Sequence, residues 1–151
     1  MATAAIAAIG TKLYLGNKIV ASTPSYTEIA EVLSISGPTL SRDQIDVTNQ
    51  ATTGGFREFI GGLGDPGELT FDISYVPTAA THADATGLLS YLSSGAKIGF
   101  LIAWPDGVPT KWEFDATVNG FEAGASVDEQ LKASVTLRLS GLPDFSTATV
   151  P

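Results

Sequence analysis

Cysteine is absent from the 151 residues, and histidine occurs once. Disulfide frameworks, thiolate metal sites and cysteine nucleophiles are therefore excluded, and few soft metal ligands remain. Basic residues are scarce too: eight Lys and Arg face sixteen Asp and Glu, for a net charge of −8. That balance argues against a tight, phosphate-neutralising grip on nucleic acid or anionic lipid. Long hydrophobic runs are also missing. The most apolar stretch, Ile98 to Trp104, is far shorter than the roughly 20 residues of a membrane-spanning helix and reads as a buried strand. The Ala- and Ile-rich start, Met1 to Gly10, has no basic residue before its apolar part and reads as an arm rather than a leader.

What is present is period two. Leu69, Phe71, Ile73 and Tyr75 alternate with Glu68, Thr70, Asp72 and Ser74, the signature of a half-buried strand. The split recurs at Trp112, Phe114, Ala116 and Val118, and again at Leu131, Ala133, Val135, Leu137 and Leu139. Weaker strands fall at Thr11–Leu15, Tyr26–Ile35, Gln44–Thr48 and Phe56–Ile60, and Lys97–Trp104 completes a meander of about seven or eight strands. One segment follows helical spacing: Ala85, Leu88, Leu89 and Leu92, with Thr81 as a cap and Gly95 as a stop, which predicts one helix over about 81–94. The expected fold is mainly β: an antiparallel sandwich or barrel with that helix on its flank. With 44% hydrophobic residues the chain supports one domain, 1–151. A long, glycine-punctuated inter-strand loop spans about 41–64, and 143–151 reads as a loose tail.

Catalytic equipment is thin. Gly62-Leu63-Gly64-Asp65-Pro66-Gly67 satisfies G-x-G-x-x-G, but a strand rather than a helix follows and Asp65 sits where a phosphate would. The carboxylates Glu68, Asp72, Glu113 and Asp115 lie on polar strand faces, which reads as solvated surface before it reads as an acid/base pair. His82 falls in the first turn of the expected helix as a surface histidine. Trp104 and Trp112 flank a Pro105-Asp106-Gly107 turn, and with Tyr91 they offer a stacking platform for a sugar. Neither a calcium loop nor G-x-S-x-G occurs. No catalytic, metal or cofactor residue is assigned, and a building block fits better than an enzyme.

The runs Ser41-Arg42-Asp43-Gln44-Ile45-Asp46-Val47-Thr48-Asn49 and Gly55 to Leu69, followed by Pro105-Asp106-Gly107, the Trp112–Phe121 strand and Ser140-Gly141-Leu142-Pro143, resemble the tail tube proteins of long-tailed, siphovirus-type bacteriophages. The likeness covers about Tyr26 to Pro143. It implies a structural virion protein without cofactor or catalysis, whose six copies form a ring. Stacked rings then make a tube that holds the tape measure protein and later conducts DNA. The tail tip or baseplate and the tail terminator are the implied further partners, with no membrane and no specific DNA binding, and assembly takes place in the host cytoplasm. The 41–64 segment then corresponds to an arm reaching a neighbouring ring, with Arg42, Asp43, Asp46, Thr48, Arg57 and Glu58 as its contact candidates. The termini join those contacts, and no added immunoglobulin-like domain is expected. If polar strand faces line the bore, Glu68, Asp72, Glu113 and Asp115 are its lining candidates. Two alternatives stay open: a ring-forming tube of a contractile injection or secretion device, and a monomeric carbohydrate-binding β-sandwich.

Overall fold

Alternation along the chain becomes nine strands and one helix in a computed structural model that describes residues 4–16, 26–84, 87–106 and 110–145. In chain order these are β1 (Lys12–Gly16), β2 (Tyr26–Glu28), β3 (Val32–Ser36), β4 (Ser41–Asp46), β5 (Phe59–Asp65), β6 (Glu68–Ser74), α1 (Leu88–Ser94), β7 (Ile98–Ala103), β8 (Lys111–Gly124) and β9 (Lys132–Asp144). Seven strands pair antiparallel in the order β2-β1-β7-β8-β9-β6-β3, while β4 and β5 form a separate hairpin.

The two edge strands of the main sheet, β2 and β3, are consecutive in the chain and joined only by Ile29, Ala30 and Glu31. Such a link spans at most about 14 Å. A flat sheet of this strand number is about 29 Å wide, so the sheet has to roll up until its margins meet, and the result is a barrel with a seam. The seam is hydrogen-bonded on both sides. Ile29 N–H donates to the Leu13 carbonyl on β1 at 2.9 Å, and Ser74 N–H at the end of β6 donates to the Glu31 carbonyl at 2.8 Å. Glu31 takes a left-handed φ of 56° to make the bend. The expected single strand Tyr26–Ile35 is therefore two strands on opposite margins, because this bend interrupts it.

Inside the roll lie Leu13, Leu69, Phe71, Ile73, Phe100, Ile102, Phe114, Val135 and Leu137, all essentially without exposure. Phe100 and Phe114 face each other in register on β7 and β8, with ring centroids 6.0 Å apart. Each such side chain contributes about 1.5–3 kcal/mol on burial. The helix covers this core through Leu88, and Gly95 ends it as expected: at φ 67° its N–H donates to the Tyr91 carbonyl at 3.0 Å.

The helix is shorter than 81–94. Residues 77–84 are turns, Ala85 lies outside the described residues, and the Thr81 side chain caps nothing in the helix; only the Thr81 carbonyl meets the first turn, accepting the Leu88 N–H at 2.9 Å. The Thr81 hydroxyl instead accepts the Ala30 N–H at 3.3 Å, so the seam has taken the residue that the helix was expected to use. His82 is likewise no surface residue: it is 0% exposed. Pro143 and Asp144 belong to β9 rather than to a loose tail; Gly107, 1–3 and 146–151 lie outside the described residues.

Where a long loop was expected, about 41–64, the chain makes the β4–β5 hairpin with a tip around a short 3₁₀ turn, Thr53–Gly55. The glycines of β5 have a packing reason. A Cβ at Gly61 would stand 3.0 Å from the Arg42 side chain, and one at Gly62 would meet Ile45 at 3.3 Å. The side chains of β4 thus lie flat across the glycines of β5. The root is tight as well: a Cβ on Gly67, whose φ is 71°, would come 1.9 Å from the Thr39 carbonyl oxygen.

Candidate functional site

Two surfaces stand out once the core is removed from consideration: the outer face of the main sheet and the hairpin. On the outer face, Glu68 and Asp72 of β6 alternate with Leu69, Phe71 and Ile73, and Glu113 and Asp115 of β8 alternate with Phe114 and Ala116. All four expected carboxylates therefore share one face. Their settings differ. Glu68 is exposed, Asp72 is half-buried and accepts the Ser34 hydroxyl at 3.0 Å, and Asp115 is half-buried. Glu113 is only 7% exposed and stands on the strand opposite Leu101. Leu101 packs there with Tyr26, Ala103 and Tyr14 in a small second apolar cluster. Burial first, and then the Glu113 and Asp115 carboxylates, push the Tyr26 phenol far up.

Sequence reasoning missed two members of this face. Glu122 faces Ser134 of β9 from one side as Asp72 does from the other. A register shift between Val118 and Gly120 changes the alternation of β8, so strict period two places Glu122 wrongly; the Asn119-Gly120 pair was the available signal. Arg138 lies between Glu68 and Thr117 in register. Its Nη2 reaches both Asp65 carboxylate oxygens at 3.0 Å, so this central cation is already engaged with the end of β5. Two hydrogen bonds, from Gly67 N–H first and from Arg138 next, hold the Asp65 carboxyl below its usual range.

The six expected arm residues are all on the hairpin and partly on each other. Arg42 Nη1 donates to the Gly62 carbonyl at 2.8 Å, and the Asp43 Cβ lies against Gly62. Asp46 accepts the Thr48 N–H at 2.8 Å and faces Arg57 at 3.9 Å; the Thr48 hydrogen bonds hold its carboxyl low. Glu58 N–H donates to the Thr48 hydroxyl at 2.9 Å. The tip continues with Ala51 N–H donating to the Asn49 side chain at 2.8 Å and Thr52 N–H donating to the Asn49 carbonyl at 3.0 Å. The polar reading of the arm overlooked its apolar load: Ile45, Phe56, Phe59, Ile60 and Leu63 are all exposed, Phe56 and Leu63 by 80% and 84%.

The aromatic platform does not present a flat surface. Trp104 and Trp112 meet edge to face, 5.1 Å and 76° apart, and Trp112 meets Phe145 in the same way. Both indoles are half-buried against the core, and Ile6, Ala7 and Ala8 line the groove beside them. Gly62 to Gly67 runs from one strand into another, without the helix that a phosphate loop needs. Among the described residues, no three His, Asp or Glu side chains converge as a metal site, and no helix is long and apolar enough to cross a membrane.

Residues 4–119 match the family described as phage tail tube, TTP, lambda-like. Structural protein 3 of Pseudomonas phage PAJU2 is 27% identical over 132 residues, covering 74% of this chain and 77% of that protein. Among solved structures, a chain from the tail of an empty gene transfer agent particle, refined helically with C6 symmetry, superposes with a TM-score of 0.67 at 18% identity, covering 89% of this chain and 95% of that one. A chain from an extracellular contractile injection system, PVC, in the structure of its sheath/tube terminator, superposes with a TM-score of 0.70 at 14% identity, covering 95% and 98%.

Proposed function

We propose, from the premise that this chain belongs to the lambda-like phage tail tube family, that six copies close into a ring and that stacked rings form the DNA conduit of a phage tail. Phage tail tube proteins are structural components of the virion, and this chain is one of them. The observation that carries the finer reading is the division of the sheet into a sealed apolar side and a carboxylate-bearing side. Glu68, Asp72, Asp115 and the adjoining Glu122 supply that second side, while its central cation, Arg138, is engaged by Asp65. A bore lined by this face repels a polyanion within about 8 Å at physiological salt, so DNA slides without sticking. Six-fold symmetry in a tail built from a similarly folded chain supports the ring.

The other partners follow from the same reading. A tape measure protein occupies the bore before DNA does, and tip and terminator proteins close the two ends. Assembly takes place in the host cytoplasm. Likeness to a chain of a contractile injection device keeps a protein-conducting tube as the second reading; the fold is common to both, and the family match favours the phage. The edge-to-face tryptophans speak against a sugar-binding monomer. Negative-stain microscopy of concentrated protein tests assembly: six-fold rings or tubes are expected, and a strict monomer at every concentration refutes it. Lysine substitution at Glu68, Asp72, Glu113 and Asp115, one at a time, tests the bore. Slowed DNA ejection is expected at the lining positions, and normal ejection in all four variants sinks the bore assignment.

A further inference from the structure

The Asn119-Gly120 pair of β8 marks more than a change of register. Val118 stands opposite Leu137 and Gly120 opposite Thr136, which leaves Asn119 as the extra residue of a bulge, without a register partner on β9. β7 accompanies β8 only as far as Ala116, opposite Ile98. Past that point β9 is, among the described residues, the one strand that pairs with β8. Asn119 is exposed there, between the buried Val118 and the exposed Glu122. Ladder pairing, which immobilises an asparagine inside a sheet, is therefore weak at this residue.

An asparagine followed by glycine can close on itself. The backbone nitrogen of the next residue attacks the side-chain Cγ, and glycine, having no Cβ, leaves that nitrogen unshielded. At position 119 the electrophile also has a donor beside it. The Thr117 hydroxyl makes a long hydrogen bond of 3.5 Å to Asn119 Oδ1, the oxygen on which negative charge develops during attack. We propose that Asn119 is a site of spontaneous deamidation. Hydroxide or a buffer base takes the Gly120 amide proton and the bond from that nitrogen to Cγ forms. The Cγ–Nδ2 bond then breaks as Nδ2 takes a proton and leaves as ammonia. Water opens the resulting succinimide at either carbonyl, giving an aspartyl or an isoaspartyl residue at position 119.

Asn49 supplies the contrast within the same chain. It precedes Gln50, whose side chain crowds the attacking nitrogen, and its amide is tied at both ends. Oδ1 accepts the Ala51 N–H at 2.8 Å, and Nδ2 donates to the Val47 carbonyl at 3.4 Å. Conversion at position 119 adds a negative charge to a chain already at −8, close in sequence to Glu122 on the carboxylate-bearing side of the sheet. The isoaspartyl product also lengthens the backbone of β8 by one methylene at the bulge, where the ladder is already interrupted. The chemistry needs only this chain and water, so it does not depend on the tube reading; if that reading holds, the bore grows more acidic as the protein ages.

Purified wild-type chain is incubated in mildly alkaline buffer made with heavy-oxygen water, and samples taken at intervals are mapped by peptide mass spectrometry against an unincubated digest. Heavy oxygen should enter at position 119 in two chromatographically separate products, while Asn49 keeps its amide. Gly120→Ala is the variant that isolates the mechanism. A Cβ there would meet the Thr136 side chain at 3.7 Å, an ordinary contact, so the melting curve should stay in place. Conversion should nevertheless slow by at least an order of magnitude, because the new methyl shields the attacking nitrogen. An Asn119 amide that lasts as long as that of Asn49 overturns the proposal, and so does equal conversion in wild type and Gly120→Ala. Neither result bears on ring or tube assembly, which microscopy reads separately.

Discussion

The imidazole of His82 bridges the barrel seam: Nε2 lies 2.8 Å from the Ala30 carbonyl, and Nδ1 accepts the Val76 N–H at 3.2 Å. A backbone N–H only donates, so Nδ1 is the unprotonated nitrogen and Nε2 carries the proton. Ala30 is the central residue of the link that brings the two sheet margins together. The chain's single histidine is thus spent on closing the barrel. His82→Ala leaves a buried donor and a buried acceptor unpaired, at about 1–3 kcal/mol each, besides a cavity. A loss of about 3 kcal/mol or more in urea unfolding of the monomer is expected. A loss below about 1 kcal/mol would contradict this role.

Gly67→Ala should be among the most damaging single-methyl changes. The added carbon meets the Thr39 carbonyl and forces a side chain onto a φ of 71°, so backbone has to move at the hairpin root. A destabilisation of about 2–4 kcal/mol is expected, together with failure to assemble under conditions where the variant monomer still folds. By contrast, Gly55→Ala has open space at the tip and carries only the cost of its positive φ, about 1 kcal/mol. Thermal denaturation of the two variants side by side checks the contrast.

Three turn aspartates are held below their usual range, Asp46 and Asp106 by hydrogen bonds from Thr48 and Thr110, and Asp65 by Gly67 N–H and then Arg138. A depressed carboxyl adds stability that is fully present above the unfolded-state value of 3.8 and is lost as pH falls through the folded-state value. Stability should therefore be level from neutral pH to about 5 on this account and fall below about 4. Asp65→Asn should flatten part of that acid limb in a pH series of melting temperatures. An unchanged limb would remove the Asp65–Arg138 link from the explanation.

Glu122 extends the bore test. Because it shares the row of Asp72 and Ser134 across β6, β9 and β8, Glu122→Lys should slow DNA ejection in the same direction as Asp72→Lys, with the effect shrinking as salt is raised. Ejection kinetics at two ionic strengths measure it. Slowing by Asp72→Lys with no effect of Glu122→Lys would mean that the bore face ends at β9.

Much of the barrel was legible because burial on one side enforces period two: the strands around Phe71, Phe114 and Leu137 stand where alternation put them. What escaped depends on contacts between residues far apart in the chain. Nothing local in Tyr26–Ile35 announces that its middle must span a seam, and nothing near His82 or Thr81 announces Ala30 as their partner. The glycines of β5 read as punctuation of a loop because their function is to lie under Arg42 and Ile45, which come from another strand. The polar residues of the hairpin were found through resemblance, whereas its exposed apolar side chains were masked by their ordinary strand-like pattern.

The rolled sheet has one more consequence. Its margins are β2 and β3, only 3 and 5 residues long. Two subunits that collide margin to margin find too little ladder to extend, and short edge strands are the usual guard against that kind of fusion. The main sheet is thereby guarded against growth at its own margins.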